Sequence, residues 1–323
     1  MDPKIVVVGS LNMDLVIRAP HLPAPGETIF GSDFLTAPGG KGANQAVAAA
    51  RLGASVSLVG RTGDDDFGRA LRATLNADGV DTAHVGADPR AATGVALIAV
   101  EDGGQNTIIV ASGANMRVER TDVDAAAALL RAAGGLIVQL ELPLEVVEHS
   151  MRLARQAGLV VVLNPAPAQP LRPEWLALAD LLVPNENEAS LLSGIRVLDV
   201  ASAEAAARTL SPSGVPAVVV TLGARGALLW HQGAASFVPP FAVQAVDATA
   251  AGDAFVGALM TALLRAPAAD ALSGTAMRAA LREASAAGAL AASKPGAQPS
   301  LPRRAELEQC LKQRGSRARR VLE

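Results

Sequence analysis

The sequence Asp247-Ala248-Thr249-Ala250-Ala251-Gly252-Asp253-Ala254-Phe255-Val256-Gly257 marks the point where a run of small residues passes into an apolar helix. Small residues at such a place leave backbone N–H groups free at the positive end of the helix, which favours a bound anion. Asp253 stands beside this predicted anion site and could serve as a helix cap. Its charge would oppose a bound anion, however, unless the carboxylate accepts a proton from an attacking hydroxyl group.

Upstream of this segment, short β-branched runs alternate with Ala- and Leu-rich stretches of helical length. The runs end abruptly at polar residues or turn formers, which is typical of strands buried on both faces. The predicted strands are 5–8, 136–140, 159–163, 180–183 and 217–220, and the predicted helices include 44–52, 122–133, 144–157 and 202–210. This alternation predicts an α/β fold with a central, mostly parallel sheet flanked by helices.

Two regions, 15–36 and 93–111, break this pattern with shorter alternating strands and Pro- or Gly-rich turns. They predict antiparallel hairpins that form a small β-sheet lid outside the main sheet. The predicted organisation is an α/β body of residues 1–14, 37–92 and 112–310, a β-lid of residues 15–36 and 93–111, and a basic C-terminal tail of residues 311–323.

Composition excludes several classes of protein. The net charge is −3 and no long basic run occupies the body, so the chain lacks the electrostatic pattern of a nucleic-acid-binding or membrane-surface protein. The single cysteine, Cys310, excludes an intramolecular disulfide and suits a reducing compartment. The N-terminal residues lack the features of a signal peptide, and no apolar run is long enough to span a membrane. A cytoplasmic protein with a small-molecule ligand is therefore expected.

Polar residues follow the predicted strands at one edge of the sheet, where ligands bind in open α/β folds. They are Asn12, Asp14, Glu141, Asn164, Asn185, Glu188 and Thr221. Each alone is equally well explained as a turn or cap residue, but their coincidence favours a site. The segment 38–45 adds glycines that let a ligand approach the backbone, together with Lys41 and Asn44. This segment is not a Walker A loop, and no dinucleotide-binding fingerprint follows the first strand.

Three motifs in fixed order carry a family resemblance. With Gly39-Gly40-Lys41-Gly42-Ala43-Asn44, Asn185-Glu186-Asn187-Glu188 and the segment 247–253, the chain resembles the ribokinase-like carbohydrate kinase family. The likeness runs from Val6 to Ser300. It implies that ATP phosphorylates a primary sugar hydroxyl, O5 in ribose, and that two chains form a homodimer through their lids.

The resemblance also assigns roles to individual residues. Catalysis is implied for Asp253 as the base, with Ala250, Ala251 and Gly252 forming the anion site. Sugar binding is implied for Asn12, Asp14, Gly40, Lys41, Asn44, Glu141 and Asp253. Contacts to ATP are implied for Asn185, Thr221, Gly223, Gly226, Gly252 and Ser285, the last standing where relatives usually have Asn or His. Glu188 is implied in a Mg²⁺ network through water, and Asp247, Thr249, Ala291, Lys294, Gly296 and Ser300 in a site for K⁺.

Other functions stay open at this level. Deoxyribose or a nucleoside could be the acceptor, because a fold does not fix its substrate. Asn12 and Asp14 favour a sugar with a full set of hydroxyls. A sugar-binding regulator without catalysis is a further alternative, which the presence of Asp253, Glu188 and Gly252 disfavours.

Overall fold

A computed structural model describes residues 2–103 and 105–320 of the chain, with residues 314–320 described as backbone only. The strands are β1 (Lys4–Val8), β2 (Asn12–Ala19), β3 (Phe34–Gly39), β4 (Ser55–Gly63), β5 (Val80–Asp88), β6 (Gly94–Glu101), β7 (Asn106–Ala111), β8 (Gly135–Val138), β9 (Val160–Leu163), β10 (Leu181–Leu182), β11 (Ala217–Thr221), β12 (Ala227–His231) and β13 (Ala234–Val238). The α-helices are α1 (Lys41–Arg51), α2 (Asp66–Ala77), α3 (Arg120–Ala125), α4 (Ala127–Ala132), α5 (Leu144–Gln156), α6 (Pro173–Leu176), α7 (Glu186–Ser193), α8 (Val200–Leu210), α9 (Ala251–Leu263), α10 (Gly274–Ala292) and α11 (Arg304–Arg320).

The main sheet has nine strands in the order β13-β12-β11-β10-β9-β8-β1-β4-β5. Every neighbouring pair from β5 to β11 is parallel, and the pairs β11–β12 and β12–β13 are antiparallel, so β12 is the strand that runs against the others. Helices cover both faces, as parallel strands require. The predicted fold class is confirmed.

The core lies on both faces of this sheet, and β1 shows why its sequence is continuously apolar. Ile5 and Val7 pack into one cluster of buried residues together with α1, α9 and α10. Val6 and Val8 pack into a second cluster with α5 and α8. Side chains alternate between the two faces of a strand, so a strand covered on both sides needs apolar residues at every position.

The second sheet, called here the small sheet, has four strands in the order β3-β2-β6-β7. Its two hairpins are antiparallel, as the sequence predicts, but they are joined through a parallel pairing of β2 with β6. The sheet also extends further than the segments 15–36 and 93–111. The sheet begins at Asn12, and β3 continues to Gly39. Asn12 pairs with both Gly39 and Gly94, so the strand pairing of the small sheet extends to the edge of the main sheet.

Two further elements differ from the predicted ones. Residues 122–133 do not form one helix, because the backbone of Ala126 leaves helical geometry between α3 and α4. The predicted tail, 311–323, falls partly within α11, while residues 321–323 lie outside the described part of the chain. Among the described helices, none is both long and apolar enough to cross a membrane.

Candidate active site

A cleft of about 560 Å³ opens between the carboxyl ends of the parallel strands and the small sheet. Most of the predicted site residues line it: Asn12, Asp14, Gly40, Lys41, Asn44, Glu141, Asn185, Glu188, Thr221, Asp247, Thr249, Ala250, Gly252 and Asp253. The others lie outside its lining: Ala251, Gly223, Gly226, Ser285, Ala291, Lys294, Gly296 and Ser300. The cleft therefore brings together the predicted sugar and anion sites, but only part of the predicted nucleotide and cation sites.

Asp253 lies in the first turn of α9 and is only 7% exposed. Its Oδ2 accepts a hydrogen bond of 2.9 Å from Nδ2 of Asn44, and its Oδ1 accepts one of 2.9 Å from Nε2 of Gln45. Burial raises the pKa of Asp253, while the charge of Lys41 and these two donors oppose the rise. The carboxylate is thus held in place on both oxygens.

The start of α9 presents backbone N–H groups to the cleft. Ala250 precedes the helix in a left-handed conformation, with φ 58°, which is unusual for a residue other than glycine. The N–H of Ala251 donates to the carbonyl of Ala248 at 3.2 Å. Within the described residues, the N–H groups of Ala250, Gly252 and Asp253 have no partner. The N–H groups of the described residues that are available to an anion are therefore those of Ala250, Gly252 and Asp253, whereas the sequence prediction named Ala250, Ala251 and Gly252.

Close packing of α1 against α9 places Asn44 and Gln45 beside Asp253. A Cβ atom at Gly257 would lie 2.7 Å from the carbonyl oxygen of Gln45 and 2.8 Å from Cβ of Ala48. Glycine at this position lets the two helices approach, and any larger residue would separate Gln45 from Asp253.

Asn12 and Asp14 lie at the start of β2, between the main sheet and the small sheet. Oδ1 of Asn12 accepts a hydrogen bond of 2.7 Å from Nδ2 of Asn115, whose side chain also bonds the backbone of Leu11. Burial, together with the charges of Glu141 and Asp253, raises the pKa of Asp14 to about 7. The neighbouring Gly40 has φ 89°, and a Cβ there would lie 2.6 Å from the backbone nitrogen of Asn12. Glycine is required for this close crossing.

Lys41 is the cationic side chain among the residues that line the cleft. Burial lowers its pKa, but the carboxylates of Asp253, Glu141, Glu188 and Asp14 outweigh this and raise it above the ordinary value. Oε2 of Glu141 accepts hydrogen bonds from Oγ of Ser10 at 2.5 Å and from the backbone N–H of Lys41 at 3.2 Å. The ammonium group therefore stays charged among several carboxylates.

On the opposite side of the cleft, Asn185 and Glu188 form a capping box at the start of α7. Oε2 and Oε1 of Glu188 accept hydrogen bonds from the backbone and side chain of Asn185 at 2.8 and 2.9 Å. Burial raises the pKa of Glu188, against these bonds and the charge of Lys41. The backbone of Thr221 bridges to Asn185, which places both residues at one edge.

The remaining predicted nucleotide residues lie beyond the cleft. Gly223 and Gly226 form a tight turn after β11, both with positive φ. Ser285 lies on α10, and its buried Oγ has no hydrogen-bond partner within the described residues.

The predicted cation loop is organised by Asp247. Its Oδ1 accepts hydrogen bonds from the N–H and the hydroxyl of Thr249 at 2.9 and 2.6 Å, and its Oδ2 accepts one from the N–H of Gly296 at 2.8 Å. Burial raises the pKa of Asp247, but these bonds outweigh it and hold the pKa below its ordinary value. Nζ of Lys294 pairs with Glu306 at 2.5 Å, so the lysine charge is engaged by α11. In the same region, the carbonyl of Ala291 accepts a hydrogen bond from the N–H of Lys294. The N–H and the hydroxyl of Ser300 both donate to the carbonyl of Ala297.

Several residues of the site were given no role by the sequence analysis. The small sheet contributes a mostly apolar wall, formed by Ala96, Ile98, Asn106, Ile108 and Val110. Gln45, Gln139, Asn164, Asn115 and Ser10 support the polar residues by hydrogen bonds. Gln139 had one visible signal, since it interrupts an apolar run two residues before Glu141. Asn164 was recognised as a polar residue at a strand end, without a role.

A buried carboxylate, amides at a helix start that have no partner in the described residues, and polar side chains able to bind hydroxyl groups are what a phosphotransferase acting on a polyhydroxylated small molecule requires. Comparison with known proteins agrees: the family model described as pfkB family carbohydrate kinase matches residues 2–304. The chain belongs to this family.

Individual relatives are similar over most of their length. The ribokinase of Haemophilus influenzae is 42% identical over 306 residues, covering 95% of this chain and 97% of that protein. The deoxyribokinase of Salmonella typhimurium is 39% identical over 254 residues, covering 78% and 83%. The solved structure of Arabidopsis thaliana ribokinase complexed with ribose and ATP has a TM-score of 0.86 at 34% identity, covering 97% and 99%. The family resemblance expected from the motifs is confirmed.

Proposed function

We propose that this protein catalyses the ATP-dependent phosphorylation of D-ribose at O5, giving D-ribose 5-phosphate and ADP. The observation that carries the proposal is the position of Asp253, whose buried carboxylate lies beside the unpartnered amides at the start of α9. A base next to an anion site is what transfer of a phosphoryl group to a hydroxyl requires. The similarity to two ribokinases along nearly the whole chain supports ribose as the acceptor.

The polar residues of the cleft would bind the sugar hydroxyls. Nδ2 of Asn44 donates to Asp253. The buried Oδ1 of Asn44 has no partner in the described residues and can accept a hydrogen bond from a hydroxyl group. Asn12, Asp14, Gly40, Lys41 and Glu141 complete the proposed set. A substrate lacking a hydroxyl would leave one of these buried groups unpaired, which favours ribose over 2-deoxyribose.

In the reaction, Asp253 would accept the proton of the O5 hydroxyl as that oxygen forms its bond to the terminal phosphorus of ATP. The bond from this phosphorus to the bridging oxygen breaks, and ADP leaves. The amides of Ala250, Gly252 and Asp253 would stabilise the charge on the transferring group. Positioning and charge stabilisation supply most of the acceleration in phosphoryl transfer.

Asn185, Thr221, Gly223, Gly226 and Ser285 are proposed to contact ATP. The cleft fits a divalent cation because its carboxylates outnumber Lys41 and would otherwise repel a polyphosphate. Glu188 would hold Mg²⁺ through water, since each of its oxygens accepts one bond from Asn185 and keeps further lone-pair capacity. The bound ion would neutralise phosphate charge.

For K⁺, the proposed ligands are Asp247 and Thr249 with the backbone of Ala291, Lys294, Gly296 and Ser300. Engagement of the Lys294 ammonium by Glu306 supports the proposal, because it removes a repulsive charge from the loop. An ion bound there would fix the turn that precedes Gly252.

The small sheet is proposed to act as a lid and as the interface of a homodimer. Its outer face carries Ile17, Phe34, Leu97 and Ile109, which are 43%, 66%, 49% and 63% exposed. The register places Leu97 opposite Ile109 and Ile17 opposite Phe34, so these side chains form one apolar patch. A patch of this kind on a sheet with two free edges favours pairing with a second copy. A cytoplasmic location is proposed because the reaction consumes ATP and the single cysteine needs no oxidising compartment.

The test is a measurement of ADP formation from ATP with D-ribose, 2-deoxyribose, adenosine and fructose 6-phosphate in parallel. We expect the highest kcat/KM with ribose. A preference for 2-deoxyribose or adenosine would move the assignment to a deoxyribokinase or nucleoside kinase, and no acceptor-dependent ADP with any sugar would favour a non-catalytic regulator.

The same assay tests the base. Asp253→Asn should lower kcat by about two to four orders of magnitude while ribose and ATP still bind. Asp180, also 7% exposed but outside the cleft lining, provides a matched control as Asp180→Asn. If Asp253→Asn keeps more than a tenth of wild-type kcat, Asp253 is not the base.

A further inference from the structure

Two glutamines that lie outside the cleft lining are buried behind Asp253. Gln45 is 0% exposed and Gln139 is 1% exposed. Nε2 of Gln45 donates to Oδ1 of Asp253 at 2.9 Å and to Oδ1 of Asn164 at 3.0 Å. Its Oε1 accepts a bond of 2.6 Å from Nε2 of Gln139.

We propose that Gln45 is a positioning residue for Asp253: it holds the carboxylate in its charged form and in one orientation, and Gln139 and Asn164 fix the orientation of Gln45. The proposal rests on the proposed function, in which Asp253 is the base. It adds a pair of amides to the machinery that the cleft-lining residues provide.

The hydrogen-bond pattern leaves the Gln45 amide one favourable orientation. Both Nε2 protons point at acceptors, the oxygens of Asp253 and Asn164, while Oε1 faces a donor of Gln139. A flipped amide would set oxygen against oxygen at two contacts and NH₂ against NH₂ at the third. Asn164 is itself anchored, because its Nδ2 donates to the carbonyl of Val183 at 2.9 Å.

This arrangement matters because the surroundings of Asp253 act in opposite directions. Burial favours its neutral form, and the carboxylates of Glu141, Asp14 and Glu188 around it add to that effect. Lys41 and the amide donors favour the charged form. A hydrogen bond to an ionised group is stronger than one to its neutral form, so each donor helps to keep the base unprotonated. Asn44 also lines the cleft, whereas the side-chain nitrogen of Gln45 lies outside the cleft lining and donates to Asp253 and Asn164.

The experiment compares the pH dependence of kcat in Gln45→Met, Gln139→Met and wild type. Methionine conserves the side-chain volume and removes the amide. In Gln45→Met we expect the midpoint of the acid limb to rise by about one pH unit. Below that midpoint kcat should be roughly tenfold lower than in wild type, and the difference should disappear as the pH rises. Gln139→Met should move the limb in the same direction by less, because Gln45 keeps its bond to Asp253 but loses its anchor.

Thr261→Val is the matched control, since Thr261 is buried on the same helix as Asp253 and its hydroxyl donates to the carbonyl of Gly257. It should lower stability without moving the acid limb. A loss of kcat in Gln45→Met that is equal at every pH, or no loss, would overturn the proposal.

A second measurement is independent of turnover and of the acceptor. The ¹³C resonance of the Asp253 carboxyl, assigned by its absence in Asp253→Asn, can be titrated in wild type and in both methionine variants. An upward shift of its midpoint in Gln45→Met supports the proposal even if ribose is not the substrate. An unchanged midpoint in both Gln45→Met and Gln139→Met refutes the proposal even if ribose is phosphorylated. If Gln45→Met does not fold, the midpoint in Gln139→Met alone tests the proposal.

Discussion

Asp14→Asn should make the protein more stable at neutral pH while impairing its activity. Burial, followed by the charges of Glu141 and Asp253, raises the pKa of Asp14 from an ordinary value of 3.8 to about 7. Between these two values the unfolded chain has lost the proton and the folded protein keeps it. The free energy of unfolding therefore falls as pH rises from about 4 to about 7, and it stays lowered above that range.

The magnitude follows from the size of this difference. One pKa unit corresponds to about 1.4 kcal/mol, so ionising Asp14 in the folded protein costs up to about 4 kcal/mol. Asparagine carries no such cost. Relative to wild type, Asp14→Asn should be near neutral at pH 4 and stabilised by about 2 to 4 kcal/mol at pH 8.

The assay is urea unfolding of both proteins at pH 4.5, 6 and 8 without ligands. Asp65→Asn serves as a control of opposite sign, because hydrogen bonds from Thr93 and Gly68 outweigh burial and hold the pKa of Asp65 below its ordinary value. This control should be less stable than wild type at pH 8. A difference between Asp14→Asn and wild type that does not grow between pH 4.5 and 8 would refute the reasoning.

Three further results are expected. Asn115→Leu removes the side chain that donates to Oδ1 of Asn12. Steady-state kinetics should show a KM for ribose raised by about tenfold and a smaller effect on kcat. An unchanged KM would exclude a role of Asn115 in positioning Asn12. Exchange of K⁺ for tetramethylammonium at constant ionic strength should lower kcat, and equal rates would remove the ion bound by Asp247 from the proposal. Light scattering at micromolar concentration should give twice the mass of one chain, and Ile109→Glu should reduce it to the monomer mass; a monomeric wild type would contradict the proposed dimer.

The acidic character of the cleft connects these expectations. Asp14, Glu141, Glu188 and Asp253 all influence the pKa of Lys41, so the charges of the cleft form one coupled set. A change at any of these carboxylates alters the pKa of Lys41. Activity and stability should therefore respond together to pH in the range where Asp14 titrates.

Local features of the chain were predictable from sequence because they depend on neighbouring residues. Continuous apolar runs such as 5–8 predicted buried parallel strands, and the small residues before α9 predicted the start of that helix. Asn185 and Glu188 were recognised as polar residues after a predicted strand, and the structure shows them as a capping box at the start of α7. The order of these motifs was sufficient to indicate the family.

Contacts between distant parts of the chain were decided only by the tertiary structure. Gln45 bonds Asp253 across 208 residues, and Asn115 bonds Asn12 across 103, and no pattern within either segment encodes these pairs. They arise because α1 packs closely on α9 at Gly257 and because β2 and β6 pair in parallel. The pKa of Asp14 likewise depends on burial and on charges from three other elements. A sequence specifies its helices and strands by short-range pattern, whereas hydrogen bonds and desolvation at the site depend on how those elements pack.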